Sequence, residues 1–115
     1  MGRTTYEFAT SNVMWRASLE TLDFIPLTSV NYSGGLIVTD WYSSSNSKES
    51  IKIEVRFLDS EVKASSFKVS SFKKICNTEN NCHTIKGKGN FNKKIKDKIL
   101  AKIRDLRVLD EQKKL

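Results

Sequence analysis

The sequence predicts an α+β fold, in which an antiparallel sheet of about four strands carries an N-terminal and a C-terminal helix on one face. Two amphipathic helical patterns enclose a stretch of β-rich segments, which gives the order α-β-β-β-β-α. The connections between the strand patterns are too short for the crossover helices that parallel strands require. The second face of the sheet is therefore expected to stay open to solvent.

The first helix is predicted to begin at Ser11 or Asn12, since either side chain can cap it, and to run to about Asp23. The apolar residues along one side of this helix recur at i, i+4 and i+7 and are Trp15, Leu19 and Leu22. Pro26 cannot continue the helix, so a short extended segment is expected from there through Val30.

Two further strands are predicted in the first half of the chain. Residues 36–42 follow a turn at Gly34 and Gly35 and are rich in β-branched and aromatic side chains, so this strand is expected to be buried on both faces or nearly so. A polar surface loop is expected over residues 43–50. Residues 51–57 alternate apolar and charged side chains, which predicts a strand with one face in the core and one in water.

The next strand is predicted over residues 62–75, and its apolar residues do not keep a single alternation. The two groups interpreted as out of phase with each other are Phe67 with Val69 and Phe72 with Ile75. One inserted residue would restore the register, so a β-bulge is predicted near residues 70–71.

A polar loop over residues 77–81 and a brief strand over residues 83–86 lead to the last helix, which is predicted from about Asn92 to Asp110. Its apolar residues recur at spacings of four, four and three and are Ile95, Ile99, Ile103 and Leu106. A helix of this length measures roughly 28 Å, which is enough to cross a four-stranded sheet.

One α+β domain is expected over residues 11–110, with a flexible N-terminus over residues 1–10 and a C-terminal tail over residues 111–115. The chain of 115 residues can bury one hydrophobic core, and 38% hydrophobic with 29% charged residues is typical of globular domains.

No apolar window is long enough to span a bilayer, and the first residues lack the apolar region of a secretory signal. A native start at Met1 would therefore imply a cytoplasmic location.

The formal net charge of +7 arises from the C-terminal part of the chain. Residues 1–85 hold nine basic and nine acidic side chains, whereas residues 86–115 hold eleven and four. This asymmetry favours an anionic partner such as nucleic acid, anionic lipid or an acidic protein, although a solvated helix face gives the same pattern. The candidate binding residues of the last helix are Lys93, Lys94, Lys96, Lys98, Lys102, Arg104 and Arg107.

No set of side chains for catalysis can be assembled from the sequence. Asp40 has no acid, histidine or lysine at a recognisable spacing, so it is expected to bond backbone N–H groups at a strand end or to pair with a cation across the sheet. His83 is the sole histidine. No catalytic residue, cofactor or metal site is predicted, and the chain is not expected to be an enzyme. Among the large aromatic residues, Tyr42 alone is expected to be available to a ligand.

Cys76 and Cys82 bracket the predicted hairpin loop. Their spacing allows a disulfide bond, two free thiols or, together with His83, a set of metal ligands. Metal is the least favoured of the three, because the pattern lacks the CxxC spacing of zinc sites. A disulfide bond would agree with an oxidising compartment such as the periplasm.

The run MWRASLETLDFIPLTSVNYSGGLIVTDWYS, residues 14–43, resembles a small alphaproteobacterial family whose domain is of unknown function and often carries a lipoprotein or secretory leader. The residues that match its most distinctive stretch are Gly34, Gly35, Thr39, Asp40, Trp41 and Tyr42. More loosely, a helix bearing Trp and Ala-Leu before a strand that starts with glycine looks like the repeated domain of BamC, the outer-membrane assembly lipoprotein. The family resemblance implies an envelope location and no known catalysis.

Two functional hypotheses follow. The leading one is a non-enzymatic, cell-envelope-associated module that binds a protein or an anionic surface through the open sheet face and the basic last helix, in the periplasm if a leader has been trimmed. The alternative is a cytosolic nucleic-acid-binding module that uses the basic C-terminal helix.

Overall fold

The computed structural model describes residues 12–43 and 48–113 of the chain. In these residues two helices flank a five-stranded antiparallel sheet whose strands lie side by side in sequence order. The predicted α+β class is confirmed, with one strand more than the four or so expected. The predicted flexible N-terminus, residues 1–10, lies outside the described residues, as do residues 114–115 of the predicted tail.

The elements follow one another along the chain with short connections. The helices are α1, Val13–Thr21, and α2, Gly89–Lys113. The strands are β1, Leu27–Asn31; β2, Leu36–Thr39; β3, Glu49–Phe57; β4, Phe67–Cys76; and β5, Cys82–Lys86. A 3₁₀ turn, Ala64–Ser66, precedes β4 and accounts for its later start than predicted.

The two helices begin near the residues that the sequence predicts. Asn12 caps α1 as predicted, because its side-chain oxygen accepts the backbone N–H of Met14 at 2.8 Å. α2 starts at Gly89, before the predicted Asn92, and continues to Lys113, beyond the predicted Asp110. Asn92 lies in the first turn of α2, where its side chain accepts a hydrogen bond from the hydroxyl of Ser71 on β4.

The predicted β-bulge near residues 70–71 is wrong. β4 pairs with β3 in one unbroken register, from Glu49 opposite Ile75 to Phe57 opposite Phe67. Ile75 has the same parity as Phe67 and is in phase with it, so the sequence interpretation misassigned its face. Phe72 is the one apolar residue of this strand that turns away from the helices.

The core lies between the helices and one face of the sheet. Ile53 and Val55 of β3 are fully buried there, together with Ile99 of α2. Trp15 of α1 stacks on Phe57, with ring centroids 4.4 Å apart. Both helices therefore cover the same sheet face, as predicted, and within the described residues neither is long and apolar enough to cross a membrane.

The opposite face of the sheet is left without a covering layer in the described chain. The prediction that residues 36–42 are buried on both faces or nearly so therefore holds for one face only. Ile37 and Thr39 are fully buried against the helices, whereas Leu36 and Val38 point to the other side and are half-buried. We call this second side the open face.

Candidate functional site

The open face is strongly basic. Residues directly opposite each other in neighbouring antiparallel strands share a face, so the pairing identifies its members. The basic side chains on this face are Lys52, Arg56, Lys68, Lys74 and Lys86. Among the described strand residues, Glu54 is the one carboxylate beside them. The open face is thus a candidate site for an anionic partner.

Averaging over the sequence concealed this charge. Residues 1–85 are neutral overall, but many of their acidic side chains lie outside the strands or on the other face. Glu49, for example, has the parity of the core residues and pairs with Lys73 at 2.9 Å. Alternation along the strands therefore separates cations onto the open face in a segment whose net charge is zero.

A one-residue irregularity at the end of β2, between the strand and the bridge at Tyr42, brings an aromatic ring onto this basic face. Val38 lies opposite Glu54 in the ladder, whereas Tyr42 lies opposite Ile51. Three residues, 39–41, therefore face two residues, 52–53, which is the pattern of a β-bulge. Without the extra residue Trp41 would lie opposite Ile51 on the core side. With it, Trp41 turns to the open face.

Hydrogen bonds from three consecutive residues hold this bulge in place. The buried hydroxyl of Thr39 accepts the backbone N–H of Ile53 at 2.9 Å and donates to the carbonyl of Asp40 at 2.9 Å. The backbone N–H of Asp40 donates to Pro26, and its carboxylate accepts the backbone N–H of Trp41 at 2.7 Å. The predicted backbone-bonding role of Asp40 is confirmed, and the polar residues here stabilise an irregular backbone.

Trp41 contacts two lysines of the open face. The ammonium nitrogen of Lys52 lies 5.3 Å from its ring centroid, and that of Lys74 lies 4.7 Å away, both within cation–π range. In the described part of the chain neither lysine forms an ion pair with a carboxylate. The two lysines are diagonal neighbours on adjacent strands, so their positive charges repel each other at short range.

A second pair of like charges lies at the other end of the same face. Arg56 and Lys68 are directly opposite each other on β3 and β4, an arrangement that is unfavourable without a counterion. A carboxylate oxygen of Glu54 lies 3.3 Å from a guanidinium nitrogen of Arg56 and neutralises one of these two positive charges. A cavity of about 320 Å³ opens nearby, where β5 ends, and Lys68, Phe72 and Lys86 are among its lining residues.

The basic helix forms a separate surface, because α2 lies on the other side of the sheet from the open face. Two of its predicted binding residues have structural contacts: Lys96 donates to the carbonyl of Phe67 at 2.9 Å, and Lys93 pairs with Asp97 at 2.8 Å. Lys102 is half-buried. The remaining predicted residues of this helix are exposed and are Lys94, Lys98, Arg104 and Arg107.

Tyr42 is not part of the open face. It pairs with Ile51, on the side of the helices, and its ring meets Phe24 edge to face with centroids 5.7 Å apart. Tyr42, which the sequence analysis expects to be available to a ligand, is 40% exposed, but the bulge places Trp41 rather than Tyr42 on the open face. Separate charge counts for the two alternating faces of residues 51–57 and 67–75 would have found the open-face cations.

Cys76 and Cys82 form a disulfide bond at the tip of the β4–β5 hairpin, where they lie directly opposite each other. Of the three alternatives that the sequence allowed, the structure has the disulfide. Within residues 12–43 and 48–113 there is no group of three or more His, Cys, Asp or Glu side chains that is arranged to hold a metal ion.

Comparison with known proteins shows the family of this chain. A family model described as Domain of unknown function (DUF3576) matches residues 8–108. The chain belongs to this family. It is also similar to "Uncharacterized protein RP420" of Rickettsia prowazekii (strain Madrid E), with 36% identity over 97 residues, 81% of this chain and 56% of the relative. The chain thus spans little more than half the length of that relative.

The resemblance to a family of unknown function is thereby confirmed. No solved structure matches the chain, and the comparisons give no support to the looser resemblance to BamC. The family model spans the elements that form the open face, including the bulge at residues 39–41.

Proposed function

We propose that this chain is a non-enzymatic, cell-envelope-associated module that binds an anionic surface through the open face of its sheet. One observation carries the proposal: a single bulge places Trp41 on a face that holds, among the described strand residues, five basic side chains and one carboxylate. Cations collected on one side of a rigid sheet attract anions at range and present fixed donors on contact.

The pairing of like charges supports binding rather than stability as the role of this face. Arg56 opposite Lys68, and Lys52 diagonal to Lys74, each destabilise the isolated sheet. Their repulsion is relieved when an anionic partner lies across the strands. An open sheet face without enclosing walls suits the charged groups of an extended surface.

The disulfide supports the envelope location. Bonds such as Cys76–Cys82 persist in oxidising compartments, of which the bacterial periplasm is one, and are rare in the cytosol. Separation of cell fractions, with thiol labelling of Cys76 and Cys82, tests this part of the proposal. Recovery from the envelope fraction with both cysteines blocked to labelling is expected, and a reduced protein in the cytosolic fraction would contradict it.

The binding surface is tested by co-sedimentation of the chain with vesicles of phosphatidylglycerol or of phosphatidylcholine. We expect binding to the anionic vesicles, weakening as salt rises from about 50 to about 200 mM because exposed charges are screened. Neutral vesicles are expected to leave the chain in solution. Equal binding to both vesicle types would contradict the proposal.

Two matched double variants distinguish the open face from the helix. Lys68→Gln with Lys86→Gln removes two charges from the open face, and Lys94→Gln with Lys98→Gln removes two from α2. Since each lysine near an anionic surface contributes about 1 kcal/mol, the first variant is expected to bind roughly 30-fold more weakly. The second is expected to bind like the original chain, and the reverse order would overturn the assignment.

A nucleic-acid-binding role for α2 is the second candidate, favoured by one observation. Lys94 and Lys98 are exposed at i and i+4 on one side of the helix and make no ion pair among the described residues. A fluorescence titration with labelled single-stranded and duplex DNA at low salt tests it. Loss of DNA binding in the Lys94→Gln, Lys98→Gln variant is expected under this candidate, and no binding at low salt would exclude it.

A further inference from the structure

We propose that Lys52 and Lys74, held over the ring of Trp41, form a binding site for a dianionic phosphate group. The group is that of a phosphate monoester, whether it belongs to a lipid headgroup or to a soluble compound. This inference rests on the proposed function, because it names the anion that one part of the open face selects.

The two ammonium groups share one aromatic ring. Both nitrogens lie within 5.3 Å of the same ring centroid, which keeps them no farther apart than about 10 Å. The face of an indole attracts each cation, and this attraction opposes the repulsion between the two lysines. Trp41 therefore holds two positive charges at one ring, and neither lysine forms an ion pair with a carboxylate among the described residues.

The supports of the site are rigid. Lys52 and Lys74 lie on two central strands that pair without irregularity, and the bulge bonded by Thr39 fixes the backbone of Trp41. The backbone that carries the site is in place before a ligand arrives, so binding needs no rearrangement of the strands.

A dianion suits this site better than a monoanion. The Coulomb attraction to each ammonium group scales with the charge of the ligand, and a phosphate monoester offers three acceptor oxygens to the two lysines. Of the nearby carboxylates, Glu54 is paired with Arg56, and Asp40 forms no ion pair with either lysine among the described residues.

Titration of the ligand gives a sharp test. The second pKa of a phosphate monoester is about 6, so glycerol 3-phosphate is mostly dianionic at pH 7.5 and mostly monoanionic at pH 5.0. The indole N–H resonance of Trp41 is followed by NMR while glycerol 3-phosphate is added at each pH. Saturable shifts at pH 7.5 and about tenfold weaker binding at pH 5.0 are expected.

Sulfate is the matched control, since it is a dianion at both pH values. It is expected to bind equally at pH 7.5 and pH 5.0, which separates titration of the ligand from titration of protein groups. His83 is the one histidine of the chain, and its pairing with Ile75 places it on the other side of the sheet. An equal loss of binding for glycerol 3-phosphate and sulfate at pH 5.0 would overturn the inference. So would the absence of any shift of the Trp41 indole resonance when glycerol 3-phosphate is added at pH 7.5.

Variants and vesicles complete the test. Lys52→Gln and Lys74→Gln are each expected to weaken the binding of glycerol 3-phosphate at least tenfold, whereas Lys94→Gln on α2 is expected to leave this binding unchanged.

Vesicles of phosphatidic acid, a monoester, are expected to bind the chain more tightly than phosphatidylglycerol vesicles of matched surface charge. Equal binding to both lipids, with no response to glycerol 3-phosphate, would refute the dianion site while the proposed function stands. Absence of binding to either lipid would refute the proposed function itself.

Discussion

At the scale of single residues, the stretch Thr39, Asp40 and Trp41 shows why polar residues interrupt an apolar strand. The Thr39 hydroxyl replaces the backbone acceptor that the bulge removes from Ile53. Asp40 supplies an acceptor to the next backbone N–H. These side chains make an irregular backbone stable, and the irregular backbone determines which side of the sheet Trp41 occupies.

Thr39→Val is expected to destabilise the chain by about 1–3 kcal/mol, because the buried N–H of Ile53 loses its acceptor while the volume of the side chain is nearly kept. Urea unfolding followed by tryptophan fluorescence measures the loss. Thr39→Ser keeps the hydroxyl and is the control. A valine variant as stable as the serine variant would show that the hydroxyl does not support the bulge.

Gly87 and Gly89 offer a matched pair at the start of α2. A Cβ on Gly87 would lie 1.9 Å from the hydroxyl oxygen of Ser71, whereas a Cβ on Gly89 meets nothing within 4 Å. Gly87→Ala is therefore expected to destabilise by about 1–3 kcal/mol through overpacking. Gly89→Ala, in the first turn of the helix, is expected to be neutral or stabilising. Thermal unfolding compares them, and equal stability of the two variants would contradict this close contact.

At the scale of elements, sequence patterns predicted the helices and the alternation of β3, because one periodic apolar stripe or face leads directly to burial. The sequence pattern predicts a bulge in β4, but the structure has one at the end of β2 instead. In β4 the position of Phe72 on the open face suggests a register shift that does not exist. The bulge beside Trp41 cannot be recognised from the apolar pattern, since aromatic residues occupy both faces there.

The β4–β5 hairpin extends beyond the part of the sheet that the helices cover, and its five β5 residues are all exposed. Cys76 and Cys82 close a loop of sequence separation 6 at its tip. Replacing both cysteines by alanine is expected to lower stability by about 2 kcal/mol through the freed entropy of the unfolded loop.

Urea unfolding with and without a reducing agent measures this effect. The reducing agent is expected to lower the urea midpoint of unfolding of the original chain and to leave the midpoint of the double alanine variant unchanged. An original chain that is insensitive to reduction would contradict the stabilising role of the disulfide.

At the scale of the whole molecule, two basic surfaces lie on opposite sides of the sheet. The sequence pattern indicates only the basic surface of α2, because the charges of this helix lie close together along the chain. The open face draws its cations from three strands, whose intervening residues point into the core or pair with acids. A net charge summed along the sequence cannot show this surface, whereas a count that separates the two faces of each strand can.

The central claim is that the open face, rather than α2, contacts the anionic partner. The most direct test is to add phosphatidylglycerol nanodiscs to the ¹⁵N-labelled chain and to map signal loss and shift changes by NMR. The expected changes fall on the indole N–H of Trp41 and on the amides of Lys52, Arg56, Lys68, Lys74 and Lys86. Changes confined to the exposed side of α2, around Lys94 and Lys98, or no changes at low salt, would contradict the account.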